Sequence, residues 1–254
     1  RGRARSSAGH WLPAERLTEE FKAVGFYLSG HPLDEFAPLV TPFRTATLGE
    51  LSLHKPNTPV IVAGMISTLR YHTMTRGSSA GSRMAMIELQ DRLGHVEAVL
   101  FAESFAKYGD LVQTNEVVLA AGRVDERRGE TQLIIEQLVR PQDAATFLAD
   151  RVILDIHDDG ASGIEDRLRS VTGEVKQAGG ARTANGARAA SVFVRLFREA
   201  EVVTLRTGLK MVLQGETIDR LESLLGGEDR MNILGIPPAT LIPERNRGRF
   251  SRRS

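Results

Sequence analysis

The stretch Met84–Phe101, MAMIELQDRLGHVEAVLF, decides the fold. Two runs that alternate apolar and polar residues, MAMIELQ and HVEAVLF, flank the turn DRLG, and a period of two marks half-buried strands paired antiparallel. Upstream, VIVAGMISTL from Val60 reads as a preceding strand, reached across the Gly/Ser stretch RGSSAGS. Downstream, AESFAKYGDLV sets Phe105, Tyr108, Leu111 and Val112 on one helical face. Two further strands follow, EVVLAAGRV and TQLIIEQLV, joined by the turn DERRG with Gly129 at its end.

Strand, strand, strand, helix, strand, strand is the order of a five-stranded OB barrel, whose helix lies between the third and fourth strands. Gly64 inside the first strand suits the bend such a barrel needs. The fold class expected is therefore mixed: an OB-fold β-barrel over residues 48–143, preceded by a helical segment and followed by a small α+β domain. In the helical segment and connector, residues 1–47, Leu17, Phe21, Val24 and Leu28 form one helical stripe after Pro13. That segment reads as the truncated end of an upstream domain. Residues 38–59 carry four prolines and a short helical turn at Leu48–Leu53.

Pro141 to Thr146 reads as a linker to the second domain, residues 148–236. There RVILDIH is a strand, Ile164, Leu168, Val171 and Val175 form a helical stripe, and KQAGGARTANGARAA reads as a flexible loop. SVFVRLF, VVTLR and LKMVL read as three strands, the last two turned at Thr207 and Gly208. ETIDRLESLL is a helix capped by Gly226, with Leu221 and Leu224 toward the core, and MNIL only hints at a last strand. Residues 237–254 read as a disordered basic tail.

Composition narrows the function. The 254 residues hold 33 Lys and Arg against 32 Asp and Glu, so a polycation is excluded and any nucleic-acid surface is local. Zero Cys excludes disulfide scaffolds and thiolate zinc sites. No apolar run reaches membrane-spanning length and no signal segment precedes the domains, so a cytoplasmic protein without a membrane partner is expected. The one apparent metal cluster, Asp155, His157, Asp158 and Asp159, fails on spacing, since only Asp155 and His157 share a strand face. It reads as a strand entering a turn, and no residue is assigned to catalysis or to a metal.

Binding chemistry is better supported. OB barrels hold single strands between the loop joining the first two strands and the loop joining the last two, with cations for phosphates and aromatics for bases. The first loop carries Arg70, Tyr71, His72, Arg76 and Arg83 with no carboxylate between, although residues 48–143 as a whole hold ten cations against twelve carboxylates. The second presents Arg127 and Arg128, diluted by Asp125, Glu126 and Glu130. Phe101, opposite the Val96–Ala98–Leu100 face, reads either as a ring that stacks a base or as an aromatic covered by the helix.

GFYLSGHPLDEF, residues 25–36, together with VAGMIS, MIELQDRLGHVEAVLF, AKYGDLV and VLAAGRV, resembles the C-terminal region of the C family of bacterial replicative DNA polymerases, the DNA polymerase III α subunits. Asp91, Gly94, Phe101 and Tyr108 match that pattern. The resemblance implies a parent DNA-directed DNA polymerase, a nucleotidyltransferase using magnesium in domains outside this chain, and no cofactor in this part. It implies single-stranded template DNA as the partner of the barrel, and the clamp-loader τ subunit and other holoenzyme subunits as partners of the region, with τ docking on 148–236. An error-prone relative of the same family, and the anticodon-binding OB domain of an aminoacyl-tRNA synthetase, are the alternatives.

Overall fold

The computed structural model describes residues 30–73, 81–127, 129–158, 163–179, 186–198 and 201–242. The expected helix at 13–28, Arg76, Arg128, Asp159 and residues 243–254 lie outside them. The barrel strands are β1 (Pro59–Thr73), β2 (Arg83–Gln90), β3 (His95–Leu100), β4 (Val117–Arg127) and β5 (Glu130–Val139), closed in the order β1-β2-β3-β5-β4. Only β3 and β5 run parallel. A one-turn helix α1 (Ala37–Val40) precedes the barrel, and α2 (Ala102–Tyr108) lies between β3 and β4. The alternation read from the sequence points Ala85, Ile87, Leu89, Val96, Ala98, Leu100, Leu133 and Ile135 into one buried cluster. Each such side chain contributes on the order of 1.5–3 kcal/mol when it leaves water, the alanines less.

The second unit holds β6 (Ala149–His157), β7 (Ala189–Arg198), β8 (Glu201–Val212) and β9 (Met231–Gly235) in the order β8-β7-β6-β9. Helices α4 (Ile164–Gly179) and α5 (Gly215–Leu225) pack their apolar stripes, Val171 and Val175, Leu221 and Leu225, into the cluster formed by Val152, Leu154, Ile156, Val192 and Val194. One sheet face is thus covered by the helices. Gly226 caps α5 at φ 85°.

Five expectations need correction. Pro141–Asp143 is a 3-10 turn leading into α3 (Ala144–Leu148), whose Ala144 and Leu148 are buried in a cluster that also takes Ile61, Met65 and Leu119 from the outside of the barrel. Pro141 to Thr146 is therefore a packed joint, not a linker. VVTLR and LKMVL form the single strand β8: Gly208 at φ 71° and the Thr207 hydroxyl donating to the Val192 carbonyl at 2.8 Å make a bulge there instead of a reversal. MNIL is the real edge strand β9, antiparallel to β6. Leu224 is exposed, and Leu225 takes the core position beside Leu221. The start of the expected tail is ordered as α6 (Pro238–Leu241), followed by Ile242, which is buried and whose carbonyl accepts from a buried Arg123 Nη2 at 3.2 Å.

The segment GHPLDEF is a clasp. His31 is buried, its Nδ1 accepts from the Leu33 backbone N–H at 3.1 Å, and its own backbone N–H donates to Asp34 Oδ2 at 2.7 Å. Asp34 in turn receives both arms of Arg92, from the DRLG turn, with Nε to Oδ1 at 2.6 Å. Burial holds the His31 pKa below its ordinary value, against the pull of Asp34 and Asp91, and a neutral ring is what the Nδ1 acceptor requires. The folded pKa lies below the unfolded one, so the unfolded chain takes the proton first. Stability present above about pH 6.5 is lost progressively below it. Asp34, lowered chiefly by its hydrogen bonds from Arg92, acts the same way only below about pH 4. Urea midpoints at pH 7.5 and 5.5 should therefore fall further for the natural chain than for His31→Asn, which can keep an acceptor at this cap. Equal pH sensitivity in both chains would place the acid-labile group elsewhere.

Candidate nucleic-acid interface

The outward side chains of the barrel strands form an open cleft of about 700 Å³ across β1, β2, β3 and β5. Its floor follows from register. Thr68 faces Glu88, Glu88 faces Glu97, Glu97 faces Gln132, and Gln132 faces Asp125, one polar row running across all five strands. Ser67 Oγ donates to Glu88 Oε1 at 2.8 Å, and Gln132 Nε2 donates to Asp125 Oδ2 at 2.7 Å, so parts of that row are held in place. The neighbouring row begins at Arg70, which faces Met86, and Arg70 and Arg127 stand on the rim of the cleft. Two arginines thus border a floor carrying Glu88 and Glu97, with Glu130 and His95 beside them.

The residues named from sequence divide into three groups. Arg70 and Arg127 are brought together around the cleft. Tyr71 and Arg83 are not in it. β1 extends to Thr73 and β2 begins at Arg83, so these residues belong to strands and not to a loop, and alternation turns Tyr71 to the side opposite Arg70. There the Tyr71 ring meets Phe105 of α2 edge-on at 5.7 Å, and the Arg83 guanidinium lies 5.0 Å from the Tyr71 centroid and 5.9 Å from that of Phe105. Such a cation–ring contact is worth about 0.5–1 kcal/mol at an exposed site and fastens α2 to the end of the β1–β2 hairpin. His72 is exposed on β1 facing Met84, outside the cleft lining. Phe101 is also placed differently from expectation. It follows β3 as the residue that caps α2, its carbonyl accepting from the Phe105 N–H at 2.8 Å, and it does not line the cleft. Arg76 and Arg128 are outside the described residues.

Sequence reasoning missed Thr68, Glu88, His95, Glu97 and Gln132. Their signal lay in the same alternation that gave the barrel: if Ala85, Ile87 and Leu89 point inward, Met86 and Glu88 point out onto the binding side.

The turn between β2 and β3 is built around one carboxylate. Asp91 is buried, with Oδ2 accepting from the Leu48 N–H at 2.8 Å and Oδ1 from Leu93 at 2.7 Å and Gly94 at 2.9 Å. Leu48 opens a 3-10 helix, Leu48–Leu53, so the connector and the hairpin share a single acceptor. A Cβ at Gly94 would stand 3.2 Å from the Gly49 Cα and one at Gly49 would stand 2.9 Å from the Leu93 carbonyl oxygen, so the close approach favours glycine at both positions.

A family model described as an OB-fold nucleic acid binding domain, tRNA_anti-codon, matches residues 60–140. The barrel is an OB fold. Among relatives, the DNA polymerase III subunit alpha of Pseudomonas aeruginosa is 35% identical over 157 residues, 61% of this chain and 13% of the relative. That of Caulobacter vibrioides is 31% identical over 132 residues, 52% of this chain and 11% of the relative. The resemblance to DNA polymerase III α subunits read from GFYLSGHPLDEF and the barrel motifs is borne out. The chain spans about an eighth of the length of these relatives. Among solved structures, the OB domain of Ta0387 from Thermoplasma acidophilum is similar over 37% of this chain and 81% of that one, at 18% identity and a TM-score of 0.30.

In the second unit, two of the residues drawn as a metal cluster, Asp155 and His157, have other partners. Asp155 is buried and takes both arms of Arg195, at 2.7 and 2.5 Å, and His157 stacks on Phe197 at 4.3 Å. Among the described residues no helix is long and apolar enough to cross a membrane.

Proposed function

We propose that the barrel holds single-stranded DNA in the cleft over β2 and β3, as one part of a DNA polymerase III α subunit. What carries this reading is the pairing of Arg70 and Arg127 on the rim of an open cleft on the face where OB folds take single strands. The carboxylate floor disfavours phosphates over Glu88 and Glu97, so the backbone of the strand follows the arginine rim. The bases then turn inward, where a carboxylate can accept from an exocyclic amino group and Met86 offers an apolar surface.

In this reading template-directed polymerisation, with its magnesium, belongs to a body outside this chain, in the cytoplasm. The second unit docks holoenzyme partners, the clamp-loader τ subunit among them. With primed template, nucleotides and magnesium, the purified chain should extend no primer.

Binding should be weak. Two phosphate contacts give a slope of log affinity against log salt of roughly −1.4, from about 0.7 per phosphate on single strands. Fluorescence anisotropy with a labelled oligonucleotide of about ten bases, short enough for one OB fold, reads that slope. Arg70→Ala should weaken binding to all sequences alike and reduce the slope by about 0.7. Arg83→Ala, by contrast, should leave the slope unchanged. An Arg70→Ala chain that binds with natural affinity and slope would remove the strand from this cleft.

A further inference from the structure

We infer that the second sheet carries its own single-strand platform, on the face turned away from α4 and α5. Register defines that face. Val152, Leu154, Ile156, Val192 and Val194 are buried under the helices, so the intervening residues of β6 and β7 point the other way. There Ile153 pairs with Phe193, and Phe193 with Arg206 of β8; Asp155 pairs with Arg195, and His157 with Phe197.

The face is basic and aromatic together. Arg151, Arg195, Arg206 and Lys210 stand on it; Arg195 is held by Asp155 and Arg151 pairs with its neighbour Asp150 at 3.2 Å, which leaves Arg206 and Lys210 as the cations open to a ligand. Arg206 and Lys210 are exposed on the edge strand β8, with no ion pair among the described residues. Phe193, half-buried, lies in register between Ile153 and Arg206, and Phe197 is flanked by His157 at 4.3 Å and by the Arg195 guanidinium at 5.6 Å. Four strands with two helices behind them, rings on the open face and cations along one edge suit a chain of stacked bases with a phosphate backbone. An acidic protein partner would satisfy the cations, but a single strand brings a flat ring and a phosphate with every residue, which matches rings and cations repeated along one face. The charge and ring content therefore favour nucleic acid, and a protein partner is the outcome that competes.

This inference is independent of the barrel cleft, and the experiment keeps the two apart. The full chain is titrated with labelled oligothymidylate of about ten and about thirty bases over a range of salt. Arg206→Ala/Lys210→Ala should reduce the salt slope by about 1.4 for the long strand, which alone can occupy the cleft and the sheet together, and by less for the short strand, which the cleft also holds. Phe193→Leu keeps bulk but removes the ring, and should weaken the long strand roughly tenfold with no change in slope. Thermal melts verify that each variant folds. Arg70→Ala, which acts on the cleft, should weaken both lengths. If the cleft variant has no effect while the sheet variants do, the barrel reading fails and this one stands. If the sheet variants bind the long strand as the natural chain does, the inference is overturned and the face is left to a protein partner. No binding by the natural chain at low salt would overturn both.

Discussion

Asp91→Ala should lower the unfolding free energy by about 2–4 kcal/mol, because the Leu48, Leu93 and Gly94 N–H groups lose their shared acceptor at once. The first bond is buried, where an orphan costs about 1–3 kcal/mol, and the other two are partly buried, where water makes up part of the loss. The loss has two sources. Leu93 and Gly94 hold the β2–β3 turn closed, while Leu48 anchors the segment whose Leu48 and Leu51 fill one end of the barrel core. Asp91→Asn retains one carbonyl oxygen and should fall between the two chains. Urea unfolding followed by far-ultraviolet circular dichroism measures the difference. A loss under about 1 kcal/mol for Asp91→Ala would mean that the turn closes without its carboxylate.

Gly122→Ala is the second large effect. Between Ala121 and Gly122 the β4–β5 ladder shifts register, and a Cβ at Gly122 would stand 2.3 Å from the Ile134 carbonyl oxygen, well inside contact. The obstacle is backbone of a central strand, so no side-chain rotation relieves it. Opening β4 from β5 to make room should cost about 2–4 kcal/mol, at or above the usual range for overpacking. Gly173→Ala is the control: Gly173 lies exposed within α4 with open space around it, and the change should stabilise by about 0.5–1 kcal/mol. Thermal melts of the two variants should move in opposite directions. A Gly122→Ala chain that melts with the natural one would show that the bulge accommodates a side chain.

The barrel was legible because its strands obey one rule, apolar inward and polar outward, from Met84 to Leu100, while β4, buried on both faces from Val117 to Val124, was legible as a short continuous apolar run. Legibility failed where the rule carried no contrast. Arg70, Tyr71, His72 and Thr73 are all exposed, so a strand running beyond the barrel wall looked like a loop. Glu201 to Arg206 are likewise all exposed, and Thr207–Gly208, which has turn chemistry, makes a bulge because the Thr207 hydroxyl and the β7 ladder continue on both sides. The site suffered the same way. Clustering of cations along the chain singled out Arg83 with Arg70, yet strand parity sends Arg83 to Tyr71 and Phe105 while Arg127, more than fifty residues away, joins Arg70. The clasp of His31 and Asp34 on Arg92 joins two segments that only the fold brings together; family resemblance marked GHPLDEF without giving its purpose.

The claim that the β2–β3 cleft holds a single strand is tested most directly by mapping it. Amide chemical shifts of the isotopically labelled chain, followed while a short oligothymidylate is added, should move at Thr68, Arg70, Met86, Glu88, Glu97 and Arg127, and stay still at Phe101 and along α2. Shifts confined to Tyr71, Arg83 and α2, or no shifts on β2 and β3 at saturating oligonucleotide, would contradict it.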